Sequence, residues 1–139
     1  MPNPKVSMQY GSGSYTAQNI TVSGGGGGGG GVSITLLWTN PNPTTAYSAT
    51  TEAIDLSAYT AVLIKTLNDR TSNTPQYHTE LVFVGDSSVC YSSNASTTGY
   101  TYKRQADVAT SGVTFGGGYR NTSAGNGYAI PQNIYGVTF

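Results

Sequence analysis

Eight consecutive glycines separate a polar N-terminal stretch from the most hydrophobic strand-like segment of the chain. Glycine loses more conformational freedom on ordering than any other residue. Fixing the whole run costs on the order of 10 kcal/mol of backbone entropy, which is comparable to the total stability of a domain. We therefore expect it either to stay loose or to be held by many neighbours. The run consists of Gly24, Gly25, Gly26, Gly27, Gly28, Gly29, Gly30 and Gly31.

The low charge of the chain argues against several classes of partner. Only 9% of its 139 residues are charged, with six Lys plus Arg against six Asp plus Glu. Nucleic acids and anionic membranes are bound through clustered positive charge, so we expect neither as a partner. No segment approaches the 18 or so apolar residues of a membrane-spanning helix, so we expect no membrane insertion. The chain also begins without an apolar export signal, which predicts assembly in the cytoplasm.

Hydrophobic alternation predicts strands rather than helices. Val32, Ile34, Leu36 and Trp38 recur at every second position, which predicts a half-buried strand with these four side chains on one face. The continuous apolar run 61–64 is typical of a central strand. The run 81–84 is its expected hairpin partner, across a loop rich in turn residues.

Further short strands follow at a spacing of roughly ten residues, with polar turns between them. No window shows a helical period with caps, and at most one helical turn fits around 51–57. This pattern predicts an all-β fold, an antiparallel β-sandwich of jelly-roll-like type. We divide the chain into an extended glycine-rich arm, residues 1–31, and a sandwich head, residues 32–139.

The sequence contains no recognisable catalytic or metal-binding motif. The glycine run is followed by Val32 and Ser33 instead of the Lys and Ser/Thr of a phosphate-binding loop. A zinc site needs about four ligands, typically Cys and His, and the chain has only Cys90 and His78. We therefore expect no cofactor, no metal and no enzymatic activity. A Ser-His-Asp triad through His78, or a glycosidase pair such as Glu80 with Asp86, stays open, but capping turns and balancing cations is the favoured role of the carboxylates.

Tyrosines are the best candidates for ligand contact. Many lie in or next to loops rich in Asn, Ser and Gly, a composition typical of adaptable recognition surfaces. Rigid aromatic faces flanked by amides also stack on sugars. The favoured alternative is that most are half-buried strand residues whose hydroxyl reaches water. The candidates are Tyr47, Tyr77, Tyr91, Tyr100, Tyr102 and Tyr119, with Tyr128 as a further loop tyrosine.

Several segments resemble a known group of proteins. They are Leu36-Leu-Trp-Thr-Asn-Pro-Asn-Pro-Thr44, Ile54-Asp-Leu-Ser-Ala-Tyr59 with Val62-Leu-Ile64, and the later Gly112-Val-Thr-Phe-Gly116 and Ile130-Pro-Gln-Asn-Ile-Tyr-Gly136. Over residues 32–139 the chain resembles small virion structural or fibre-type proteins of tailed phages and prophages of Gram-positive bacteria. The resemblance implies a fibre, tail-tip or decoration component at the virion surface, with a role in host attachment. It implies other virion proteins as partners, with host-surface glycans as a further candidate.

Together with this resemblance, the ordering entropy of the glycine run favours an assembly segment that packs against other chains. We hypothesise a homo-oligomer, most simply a trimer, in which glycine lets three backbones approach a shared axis. The second hypothesis is a carbohydrate-binding module. The third is a hydrolase that degrades cell walls or capsules, for which no acid–base pair emerges.

Overall fold

A computed structural model describes residues 20–22, 31–72, 74–94 and 99–139, and these residues form ten strands and no helix. Gly24 to Gly30 lie outside the described residues, whereas Gly31 is exposed directly before the second strand. The strands are β1 (Ile20–Val22), β2 (Val32–Thr39), β3 (Thr50–Ala53), β4 (Ala61–Asp69), β5 (Tyr77–Phe83), β6 (Ser87–Asn94), β7 (Tyr100–Ala109), β8 (Gly112–Arg120), β9 (Ser123–Ala124) and β10 (Tyr128–Thr138).

The strands form two antiparallel sheets that pack as a sandwich, which confirms the predicted fold class. Sheet A has the order β1-β2-β10-β4-β5, and sheet B has the order β3-β8-β7-β6, with β9 paired to β8. Strand β2 lies in sheet A, β3 in sheet B and β4 again in sheet A. Strand β10, at the C-terminal end, pairs with both β2 and β4 and lies between them. The pairings of β10 with β2 and β4, and of β3 with β8, join distant parts of the chain, whereas β4–β5 and β6–β7–β8 pair locally.

The core lies between the sheets and is formed by alternate residues of the central strands. Val62 and Ile64 of β4 pack with Ile134 of β10, and Phe115 of β8 reaches them from sheet B. Burying each such side chain contributes about 1.5–3 kcal/mol. As predicted, β4 is an interior strand and forms a hairpin with β5. The stretch that allowed one helical turn contains instead β3, which pairs with β8.

The prediction for β2 is wrong at one position. Leu36 lies opposite Tyr135 of β10, but Trp38 lies opposite Ile134, so Leu37 is an extra residue in a β-bulge. The bulge reverses the alternation, because every residue beyond it moves to the other face. Trp38 therefore packs against the core, whereas Ile34 and Leu36 lie on the outer side of sheet A.

Strand β1 extends sheet A beyond β2. Its backbone pairs Ile20 with Ile34 and Val22 with Val32. Part of the region predicted as an arm thus contributes an edge strand of the sandwich. The glycine run lies in the connection between these two paired strands.

Candidate functional site

The outer side of sheet A carries a contiguous set of apolar residues. Leu63 lies between Leu81 and Tyr135, and Ala61 lies between Phe83 and Val137. The alternate residues of β4 are in the core, so this set points away from it. We call this surface the apolar outer face; its residues that reach solvent in full or in part are Ile34, Leu36, Leu63, Leu81, Phe83, Tyr135 and Phe139. Ala61 and Val137 lie on the same side of the sheet but are buried beneath these neighbours.

The rim of this face is well exposed to solvent. Leu81 is 43% exposed, Phe83 48% and Phe139 58%. The rings of Phe83 and Phe139 lie side by side, with their centroids 6.2 Å apart. None of the residues that define the face is charged. Single exposed apolar residues are ordinary, whereas a contiguous set on one sheet face is a candidate interaction surface.

Three residues on the outer side of sheet B form a second surface. Lys103 of β7 lies opposite Tyr91 of β6 and also opposite Tyr119 of β8. Their neighbours Cys90 and Arg104 are buried, so these three side chains point to solvent. Tyr91 is 48% exposed and Tyr119 38%, and the Lys103 ammonium lies 5.6 Å from the centroid of the Tyr119 ring. We call Tyr91, Lys103 and Tyr119 the tyrosine–lysine row.

The carboxylate nearest along β7 is held away from the row. Asp107 accepts a hydrogen bond of 3.0 Å from the Gln105 side chain. Hydrogen bonds from Ser87 and Gln105 lower the pKa of Asp107, so it is ionised at neutral pH. Among the residues that the structure describes, no carboxylate lies within 4.0 Å of the Lys103 ammonium.

The structure thus brings Tyr91 and Tyr119 together on sheet B and groups Tyr100 with Tyr102 elsewhere, whereas Tyr47 and Tyr77 lie apart from both pairs. Tyr47 is only 9% exposed, and its hydroxyl donates to Glu52. Burial and this hydrogen bond raise the pKa of Tyr47. Tyr77 is exposed at the border of the apolar outer face, where the Lys65 ammonium lies 4.5 Å from its ring centroid.

Tyr100 and Tyr102 belong to an aromatic cluster at one end of the sandwich. Their ring centroids are 6.4 Å apart, and Tyr102 lies 6.0 Å from Tyr128. The guanidinium of Arg120 lies 4.7 Å from the Tyr100 centroid and 5.0 Å from that of Tyr128. Tyr102 itself is only 3% exposed. Tyr100 and Tyr128 are partly buried, so the rings of this cluster are engaged mainly with one another and with Arg120.

An open pocket of about 320 Å³ lies between the loop after β2 and strand β3. It is lined by Trp38, Asn40, Tyr47 and Glu52 among others. Two of the polar side chains that line it make hydrogen bonds within the protein, since Asn40 donates to the Pro131 carbonyl and Glu52 accepts from Tyr47.

Among the residues that the structure describes, the contacts of the sole histidine differ from those of a catalytic triad. His78 Nε2 lies 3.1 Å from Glu80 Oε2, and the Ser88 hydroxyl donates to the other oxygen of the same carboxylate. A triad needs the histidine between nucleophile and acid, whereas here the carboxylate stands in the middle. In the described part of the chain, no three His, Cys, Asp or Glu residues are grouped to hold a metal ion.

Comparisons with protein-family models, with curated proteins and with solved structures give no match for this chain. The described residues contain no helix that is long and apolar enough to cross a membrane.

Proposed function

We propose that this protein is a non-enzymatic structural component of a phage particle, a fibre, tail-tip or decoration protein of the virion surface, and that it assembles through the apolar outer face of sheet A. The observation that carries the proposal is the contiguity of that face on a sheet whose other side is already covered by the core. An apolar face has few hydrogen bonds to water to give up, so its desolvation costs little free energy. Burying its apolar surface against a partner is favourable.

The occupant that we propose is a second copy of the same chain. In a twofold contact the same patch of both copies meets, so a charge near the axis would face its own like charge, whereas in a trimer the face of one copy would meet a different patch of the next. The apolar outer face contains no charged side chain and is free of this repulsion. The exposed aromatic pair Phe83 and Phe139 adds large apolar side chains that a second copy would bury.

Light scattering on the full chain tests self-association. We expect the unmodified protein to be an oligomer and Leu81→Glu to be a monomer, because the substitution places a carboxylate on the apolar outer face. Val89→Glu is a matched control, since Val89 is 46% exposed against 43% for Leu81 but lies on the outer side of sheet B. A monomeric unmodified protein would overturn the proposal, as would equal oligomer mass for both variants.

A second experiment tests the particle itself. We expect mass spectrometry of purified phage particles to find the chain in a fixed ratio to the major structural proteins. Leu81→Glu should lower that ratio at least tenfold while Val89→Glu leaves it unchanged. Particles that lack the chain altogether would contradict a virion role, even if the purified protein is an oligomer.

The copy number is a separate prediction. A trimer would agree with the threefold packing that we hypothesise for the glycine run. A dimer would keep the role of the apolar outer face and would contradict the threefold hypothesis.

A further inference from the structure

We propose that the tyrosine–lysine row binds an anionic polysaccharide, with sugar rings stacked on Tyr91 and Tyr119 and an acidic group of the polymer paired with Lys103. The row lies on sheet B and faces away from the apolar outer face of sheet A. Binding there goes beyond the proposed assembly role and does not depend on it.

The distance between the two tyrosines suits a ligand longer than one sugar, and the strands hold both rings in place. They occupy strands on either side of β7. Because neighbouring strands lie about 4.8 Å apart, the two backbone positions are about 10 Å apart. Both rings stand on hydrogen-bonded strands, so little entropy is lost when they order against a ligand. This spacing suits consecutive rings of a polymer laid across the strands.

The position of the row on the solvent-facing side of a sheet indicates the type of ligand. A ligand that lies across an exposed strand face can be contacted in the middle of a polymer as well as at its end. Tyrosine offers an aromatic face to sugar C–H groups and a hydroxyl to sugar hydroxyls. Gln105, two residues along β7 from Lys103 and on the same outer side, places an amide at the edge of the row, where its nitrogen donates to Asp107.

Lys103 makes the surface selective for an acidic polymer. Its ammonium carries three donors, and in the described structure it has no carboxylate within 4.0 Å. Asp107 lies four residues along the same strand, which is about 13 Å away at the strand rise, and is bonded to Gln105. An acidic group on a bound sugar would be the first anion to reach Lys103.

A matched control exists on the other sheet. Lys65 and Tyr77 also form an exposed lysine–tyrosine pair, with the ammonium 4.5 Å from the ring centroid. Tyr77 is 52% exposed, more than either tyrosine of the row. This pair lacks a second tyrosine across the lysine, so it should not hold a polymer in the same way.

Affinity electrophoresis and titration of the full chain test the proposal. The probes are polygalacturonate, which presents carboxylates, its neutral methyl ester, and glucosylated poly(glycerol phosphate), which presents phosphates. We expect at least one acidic polymer to bind at least tenfold more tightly than the methyl ester. Which of the two binds tells whether the anion is a carboxylate or a phosphate. Inorganic polyphosphate, which has charge but no sugar, should bind at least tenfold more weakly.

Substitutions distinguish binding at the tyrosine–lysine row from nonspecific binding elsewhere on the protein surface. Lys103→Met should lower affinity for the acidic polymer at least tenfold and remove the preference over the methyl ester. The double variant Tyr91→Ala, Tyr119→Ala should lower affinity at least tenfold, with its unfolding midpoint showing that it is folded. Lys65→Met and Tyr77→Ala should bind as the unmodified protein does. Failure of both acidic polymers to bind, equal binding of polyphosphate, or equal losses in the control variants would overturn the proposal.

Discussion

The guanidinium of Arg104 makes two contacts with Tyr47. Its Nη2 donates a hydrogen bond of 3.0 Å to the Tyr47 carbonyl, and its central carbon lies 5.3 Å from the centroid of the Tyr47 ring. Arg104 is fully buried. Its other donors reach the carbonyls of Gly116, Tyr128 and Ala129. Four backbone carbonyls thus compensate one buried cation, and burial lowers the pKa of Arg104 to about 10.

Arg104→Met should destabilise the fold severely. The substitution leaves these buried carbonyls without donors, and unsatisfied buried groups cost about 1–3 kcal/mol each. We expect a loss of about 3 kcal/mol or more in the free energy of unfolding, measured by denaturant titration. Lys103→Met changes the adjacent, exposed cation and should stay within about 0.5 kcal/mol. Similar losses for both variants would refute a structural role for the buried guanidinium.

Two neighbouring glycines of β8 should respond differently to alanine. A Cβ at Gly118 would lie 2.3 Å from the Tyr128 carbonyl oxygen and 2.8 Å from Arg104 Nη2, whereas a Cβ at Gly117 would have no atom within 4 Å. Gly118→Ala should therefore cost about 1–3 kcal/mol through overpacking. Gly117→Ala should be close to neutral. Thermal unfolding of the two variants measures the difference, and a neutral Gly118→Ala would contradict the close backbone approach at this site.

The β-bulge at Leu37 predicts opposite behaviour for the residues on either side of it. Trp38 packs against the core and lies edge-on to Tyr47, at a centroid distance of 6.3 Å. Trp38→Ala should lower stability by about 3 kcal/mol. Leu36→Ala, on the apolar outer face, should cost less than about 1 kcal/mol in the monomer and should weaken self-association. Denaturant titration at low protein concentration, combined with light scattering, tests both effects; a larger stability loss for Leu36→Ala would place the bulge elsewhere.

Cys90 predicts how stability changes at high pH. It is 1% exposed, and burial raises the pKa of its thiol to about 12. Above pH 9 the unfolded thiol ionises while the folded thiol stays protonated. Stability should therefore fall between about pH 9 and 12, with a maximum contribution of about 1.4 kcal/mol per pH unit from this group. In Cys90→Ala this contribution should disappear, so an unchanged slope would exclude the thiol as its source.

The same burial predicts the chemical behaviour of Cys90 at neutral pH. Iodoacetamide should label the folded protein at least tenfold more slowly than the protein in denaturant, because the thiol is buried and protonated. Mass spectrometry measures the labelled fraction. Equal labelling rates in the two states would contradict the burial of Cys90.

Local pattern carried most of the fold prediction. The runs at 61–64 and 81–84 identify β4 and β5 because a strand's apolar content reports its burial directly. The same reasoning failed at Trp38, because a bulge depends on how β2 aligns with β10, nearly a hundred residues away. No local signal marks Leu37 as the extra residue, since its neighbours are equally apolar.

Strand register decides which side chains share a candidate surface, even more than it decides the fold. Composition alone indicated that tyrosines would matter, but it gave Tyr91 and Tyr47 the same rank. Strand pairing placed Tyr91 beside Lys103 on a solvent face and buried Tyr47 against Arg104. The role of Arg104 was missed because a single arginine in an alternating segment looks the same whether it faces water or the core.

By itself, the sequence determined an all-β chain of low charge with short strands and polar turns, because those properties follow from residue type and spacing. Only the tertiary structure decided which side of each strand faces the core. That choice depends on pairing across long sequence separations, where a shift of one residue exchanges the two faces. For this protein it turned Ile34 and Leu36 of β2 away from the core while Trp38 packs against it, and it created the surface through which we propose that the protein assembles.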